Sequence, residues 1–202
     1  MFYLGLDLGK MRDFSAFAVV EREDERAGWS AVPAPQVLRV RYLERVALGT
    51  PYTRVVERVA EVTRNPKLNG ASYLTVDATG VGVPVVELLR AAKLGCRGMT
   101  AVTITPGARA RQAPGFGVGE HWHVPRTDLL AGLQMLLERG ELRISKKMRE
   151  SGSLVRELLS MRSGGANSLD GHHDDLVLAV ALACWQAMRP KNGIGNRRLP
   201  GI

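Results

Sequence analysis

Hydrophobic residues in this chain change their period once, near Pro51, and that change restricts the fold more than any single motif does. Before it, apolar residues come in short runs and alternations. Residues 2–8 predict a buried strand, residues 14–21 a second, and residues 37–46, where Val and Tyr alternate with Arg and Glu, a third with one wet face. Residues 22–26 and 29–35 are expected to form a loop or hairpin extension, so the chain opens with three antiparallel strands. After Pro51 the apolar residues Tyr52, Val55, Val56, Val59 and Val62 recur at helical spacing until Asn65-Pro66 and Asn69-Gly70 stop them. A strand at 73–76, a helix at 84–93 and a strand at 99–105 follow. Strands alternating with helices in this way are expected to lie parallel.

Residues 106–122 are rich in Gly and Pro and carry Arg109 and Arg111, which predicts a mobile loop or a hairpin. A Leu-rich helix at 126–139, a short strand around Leu142 and Ile144, a helix at 153–161 and a loop at 163–168 come next. The last helix, 174–188, carries Ala179, Ala181, Ala183 and Ala187, small enough for close packing on a sheet. The expected class is therefore α/β, a mixed central sheet with an antiparallel start and parallel strands after it, flanked by helices. With 202 residues, 45% of them hydrophobic and 24% charged, the chain can bury a core of its own and is not wholly disordered. Its longest apolar run, 176–188, is too short to span a bilayer, and the opening residues lack a basic leader region. Cys96 and Cys184 stand far apart without ligand spacing, and both are expected to be reduced thiols of a cytoplasmic protein.

Acids fall where elements end. Asp7 closes the first strand, Asp77 closes the fourth, and Asp174-Asp175 open the last helix. The crevice beyond strand ends is the usual functional edge of an open sheet. Each acid alone is explicable as a turn cap or as an acid in a helix's first turn. Together on one edge they would repel one another beside the core, and a divalent cation relieves that repulsion. Mg²⁺ and Mn²⁺ favour such oxygen ligands.

Gly5-Leu-Asp7-Leu-Gly9, Leu74-Thr-Val-Asp77-Ala-Thr-Gly80 and Gly171-His-His173-Asp174-Asp175-Leu-Val-Leu-Ala179 carry a resemblance to a known family. With His123-Val-Pro-Arg126-Thr-Asp-Leu129 and Gly140-Glu-Leu142-Arg-Ile144, they resemble the RNase H-like nuclease fold, in particular the C-terminal nuclease domain of phage large terminase subunits. The resemblance spans roughly residues 2–188 and treats residues 1–188 as one nuclease domain. It implies hydrolysis of double-stranded DNA by two Mg²⁺ or Mn²⁺ ions, in the cutting of concatemeric phage genomes during packaging. By the same resemblance Asp7 bridges the ions, Asp77 holds one of them, and Asp174 or Asp175, or both, complete the site. Terminases also carry an ATPase motor and work with portal and small terminase components. This chain has no Gly-Lys-Ser/Thr phosphate loop, so the motor is expected to be separate or missing and to come from another polypeptide.

A net charge of +8 and a pI near 10.0 favour an acidic partner, with nucleic acid first. Half of that excess lies in residues 189–202, a basic tail expected to be disordered and to add nonspecific DNA affinity. Lys10, Arg12 and His173 are candidates for phosphate contact or for orienting the metal ligands. Arg109, Arg111, Lys146, Lys147 and Arg149 are candidate phosphate contacts further out. His121-x-His123 with His172-His173 is a weak zinc pattern, since no cysteine is placed to help. Trp29, Trp122 and Trp185 are too scattered in sequence to suggest a stacking platform. Three other functions fit parts of the pattern: a non-catalytic DNA-binding or packaging-assembly subunit, a Holliday-junction resolvase, and an actin-like ATP-binding protein suggested by the first strand alone.

Overall fold

Side chains on the first strand alternate between two cores, and that alternation sets the layers of the molecule. The computed structural model describes residues 1–9, 13–23, 36–80, 82–114, 119–163 and 174–189. In β1 (Phe2–Asp7), Leu4 and Leu6 face one side with Val55, Val59, Val85 and Leu89. Tyr3 faces the other side, with Leu129, Leu154, Leu176 and Val180. By the two-residue period of a strand, Gly5 and Asp7 share the side of Tyr3.

β1 pairs antiparallel with β2 (Ala16–Glu23), and β2 pairs antiparallel with β3 (Val37–Arg45). On its other side β1 pairs parallel with β4 (Ser72–Asp77), which pairs parallel with β5 (Gly98–Thr105). β5 then pairs parallel with β7 (Glu120–Pro125), and the three-residue β6 (Arg111–Ala113) lies antiparallel at that edge. At the opposite edge β8 (Leu142–Ile144) joins β3 in parallel. The sheet order is β6-β7-β5-β4-β1-β2-β3-β8, an RNase H-like arrangement with the expected antiparallel start and parallel continuation. Helices α1 (Tyr52–Thr63) and α2 (Gly82–Ala91) cover one face. The other face is covered by α3 (Arg126–Glu138), α4 (Ser151–Ser163) and α5 (Asp175–Met188).

Residues 106–122 depart from the looser of the two expectations, because they contribute β6 and the start of β7. Glu120-His-Trp-His mixes polar and aromatic residues with no clean alternation, yet backbone pairing with β5 from Thr100 to Thr105 makes it a strand. Of the expected loops at 22–26, 29–35 and 163–168, Arg22 and Glu23 instead extend β2 and Ser163 ends α4, while the rest lie outside the described residues.

α5 lies closest to the sheet. Ten consecutive residues from Asp175 to Cys184 are buried, as suits a helix covered on all sides. A Cβ at Gly5 would overlap the carbonyl oxygen of Ala179 and stand 2.8 Å from the amide nitrogen of Ala183. The helix is also held at both ends. Val177 N–H donates to Glu157 Oε2 of α4 at 3.0 Å, and Arg22 Nη1 of β2 donates to the Ala187 carbonyl at 2.8 Å. An anion at the amino end and a cation at the carboxyl end both suit the helix dipole. At the far end Arg189 stacks 4.2 Å over Trp122 and 4.9 Å over Trp185, and bonds Glu120 at 2.9 Å. Arg189, assigned from sequence to the tail, therefore belongs to the folded body, and two of the tryptophans meet edge to face at 5.8 Å.

Gly5→Ala is expected to destabilise the chain by about 3 kcal/mol or more, since backbone must move to admit the methyl. The helical, exposed Gly132 has nothing within 4 Å of an added Cβ, so Gly132→Ala should stabilise by up to about 1 kcal/mol. Urea denaturation of the two variants beside the parent checks both signs.

Candidate active site at the carboxyl edge of the sheet

Asp7 and Asp77 end neighbouring parallel strands in register: Leu6 lies opposite Val76, so the two acids follow side by side. Both side chains are buried, and the two carboxyl groups are hydrogen-bonded to each other. Asp77 also accepts from the Thr79 N–H at 2.8 Å, closing a tight turn in which Gly80 takes φ +79°. The Thr79 hydroxyl in turn accepts from the Ile104 N–H at 2.7 Å, tying that turn to β5. The turn-cap explanation of Asp77 is thus correct as far as it goes, and the same carboxylate also faces Asp7. On the other side of the site, Gly9 N–H donates to Ser15 Oγ at 3.1 Å and the Tyr52 hydroxyl donates to the Gly9 carbonyl at 2.9 Å, which holds the chain as it leaves β1.

The third acid arrives on α5. Asp175, Ala179 and Ala183 stand four residues apart on one stripe, and Ala179 and Ala183 are the residues that meet Gly5. Asp175 is buried, and its charge is felt by Asp7. Asp174 turns elsewhere. It occupies the position before the first helical residue without capping the helix, and its carboxylate accepts a hydrogen bond from Arg126, the first residue of α3.

Two further residues escaped the sequence reading. Glu157 of α4 is 6% exposed, takes the Val177 N–H, and forms an ion pair with Arg45 at the end of β3. Arg45 Nε lies 3.9 Å from Asp175 Oδ2 and its guanidinium stands 5.1 Å over the Phe14 ring. Glu157 falls among Leu154, Leu158 and Met161 at helical spacing, so its place on the apolar face was visible in the pattern.

Burial, with the Asp77 and Asp175 charges beside it, holds the Asp7 carboxyl well above the ordinary carboxylate range. Burial also raises Asp77, against the opposing hydrogen bonds from Thr79. Glu157 is pushed up to about 7, because burial outweighs the Val177 amide and Arg45.

The donor set is all carboxylate oxygen with surplus negative charge, which fits a hard divalent cation able to compete with protons. Among the described residues, no group of three or more His, Cys, Asp or Glu is disposed to hold a metal ion as the structure stands. Of the weak zinc pattern, His172 and His173 lie outside the described residues, and His121 is engaged otherwise. His121 is buried with Nδ1 bonded to the Pro114 carbonyl and Nε2 to the Thr103 hydroxyl, both at 2.9 Å, and it packs edge-on against His123.

Strand direction places the basic candidates. β3 and β8 run the same way as β1, so Arg45 and the exposed Lys146, Lys147 and Arg149 follow strand ends on the acidic edge. β6 runs opposite to β7, so its first residue, Arg111, and the preceding Arg109 lie at that edge too. The two basic groups flank the acids at opposite limits of the sheet, about 30 Å apart at ~4.8 Å per strand. Lys10, Arg12 and His173 lie outside the described residues. A groove between β2–β3 and α1, lined by Phe2, Tyr42, Arg58 and Leu68, contains none of the acids, and Arg58 there is bonded to Glu44 and Glu61.

The fold is that of the RNase H-like nuclease domains of viral terminases. The large terminase nuclease of thermophilic phage G20c superposes with a TM-score of 0.58 at 20% identity, over 92% of this chain and 82% of that one. The human cytomegalovirus terminase nuclease domain, Mn-soaked with inhibitor bound, gives 0.57 at 15% identity, again over 92% and 82%. The large terminase nuclease domain of bacteriophage SPP1 with bound Mn gives 0.50 at 13% identity, over 93% and 86%. No protein-family model and no curated protein matches the sequence. Among the described residues no helix is long and apolar enough to cross a membrane.

A carboxyl that holds its proton more tightly when folded stabilises the fold below its unfolded value and loses that contribution as pH rises through the folded value. For Glu157 the window runs from about 4.5 to about 7, with Asp7 and Asp77 acting in the same direction. In chelator, unfolding free energy should therefore carry a falling component across that window. Glu157→Gln should remove on the order of 3 kcal/mol of it. Urea denaturation at a series of pH values measures the slope, and an identical slope in the variant would count against this account.

Proposed function

We propose that this chain is a metal-dependent endonuclease that hydrolyses phosphodiester bonds of double-stranded DNA with little sequence specificity. In this reading it cuts concatemeric viral DNA during genome packaging. The observation that carries the proposal is the convergence of Asp7, Asp77 and Asp175, from β1, β4 and α5, on the carboxyl edge of a fold shared with terminase nuclease domains. Of the structures named above, the cytomegalovirus domain was soaked with Mn and the SPP1 domain has Mn bound.

Asp7, Asp77 and Asp175 would hold two Mg²⁺ or Mn²⁺ ions, with Asp7 between its two neighbours. When bound, such ions supply a water of lowered pKa as nucleophile and stabilise charge on the leaving 3′ oxygen. Burial raises both the Asp7 and Asp77 carboxyls, so protons would compete with the ions and loading should improve as pH rises. Thr79 fixes Asp77 through its own backbone, and the Gly5 contact fixes the depth of Asp175. Arg109 and Arg111 on one flank and Lys146, Lys147 and Arg149 on the other are suited to backbone phosphates, contacts that position DNA without reading its bases. Lys10, Arg12 and His173 are assigned to the same duty or to orienting the ligands. A motor, portal and small terminase component would be the partners.

Supercoiled plasmid incubated with Mg²⁺ or Mn²⁺ should be nicked and linearised, and chelator should stop this. Asp7→Asn, Asp77→Asn and Asp175→Asn should each slow it by roughly 10²-fold or more. Cutting that survives chelator or these substitutions would overturn the proposal. Salt-sensitive binding without cutting would point to a non-catalytic packaging subunit, and preference for four-way junctions to a resolvase.

A further inference from the structure

Arg126 occupies a position that its own helix does not favour. It is the first residue of the 13-residue α3, where the unpaired N–H groups give the helix end a partial positive charge. A cation there is mildly unfavourable, so the helix does not account for it. Its surroundings do. Pro125 ends β7 on the carboxyl edge, and the Arg126 guanidinium donates to Asp174 Oδ2. Its charge also acts on both Asp7 and Asp77, lowering their hold on protons.

Arg45 and Arg126, each paired with an acid at this edge, differ in freedom. The Arg45 side chain is 21% exposed, ion-paired with buried Glu157 and stacked on Phe14. The Arg126 side chain is 44% exposed, and its partner Asp174 is 25% exposed. An ion pair that open to water contributes little to stability, so a competing anion can displace Asp174 at little cost. A guanidinium offers paired donors that match a phosphate as well as a carboxylate.

We infer that Arg126 exchanges partners: it is the counter-cation of the acidic edge while Asp174 holds it, and it becomes a phosphate-binding residue when DNA lies over the loaded site. This rests on the nuclease reading above. Arg126 and a divalent cation would both offset the negative charge of this edge, so once the acids are ionised the arginine opposes metal loading, and it assists the substrate. A residue serving only to hold the fold would impair both steps when removed. Arg126 should move them in opposite directions.

The test uses the full chain with Arg126→Gln and Arg126→Lys. Calorimetric titration with Mn²⁺ alone, without DNA, should show Arg126→Gln binding the ion roughly three- to tenfold more tightly, as removal of one nearby positive charge predicts. At saturating Mn²⁺ the same variant should lose roughly tenfold or more in kcat/KM on plasmid. Arg126→Lys keeps the charge without the fork, so its Mn²⁺ affinity should stay near that of the parent while cutting recovers only in part. Unchanged or weaker Mn²⁺ binding by folded Arg126→Gln would overturn the counter-cation role, and unchanged cutting would overturn the phosphate role. If the parent itself neither binds Mn²⁺ nor cuts, the nuclease reading fails. A parent that does both, beside variants that match it, defeats this inference alone.

Discussion

Where α5 crosses β1, no side chain separates helix from strand: Gly5 leaves room for the Ala179 carbonyl and the Ala183 amide against the sheet itself. The depth of that contact decides where the first turn of α5 stops, and so how near Asp175 comes to Asp7. Burying a helical carboxylate is costly, several kcal/mol when it stays charged. Leu176, Val177, Val180 and Leu182 on the same helix are each no more than 1% exposed. At about 2 kcal/mol apiece they outweigh that cost. The apolar helix carries the acid into place, with Glu157 and Arg22 fixing its two ends.

Charge at the edge is arranged in pairs of unequal openness. Asp7 and Asp77 are hydrogen-bonded to each other in the interior, Glu157 is paired with Arg45 beside Asp175, and Asp174 meets Arg126 nearer to water. The net positive charge of the chain is thus no guide to the chemistry of its centre, where acids outnumber bases. Positive groups stand at the flanks, beyond β6 and β8. An anionic polymer drawn by those flanks would meet a centre that repels it until cations intervene.

Much of this was legible in the sequence because strands and helices announce themselves by period, and carboxylates at the ends of apolar strands are rare enough to notice. Asp7, Asp77 and the Asp174-Asp175 pair were found that way. The sequence left open which of the last two turns inward; the structure buries Asp175 and gives Asp174 to Arg126, because the Asp175 stripe is the one that meets Gly5. β7 was hidden, since Glu120-His-Trp-His lacks alternation and becomes a strand only through pairing with β5. Glu157 was overlooked although it interrupts an apolar face. The roles of Arg45 and Arg126 depend on which strands are neighbours, a fact no local pattern contains.

The register of β1 and β4 together with the docking of α5 brings residues 7, 77 and 175 to the same edge of the sheet, from the first strand, the fourth strand and the last helix described. Closing loops of that length is slow, and no local segment anticipates the result. A chain still being synthesised holds at most two of the three acids until its final helix is made and seated. A nascent or partly folded copy therefore lacks the full acidic edge, which is assembled only when α5 docks on the sheet.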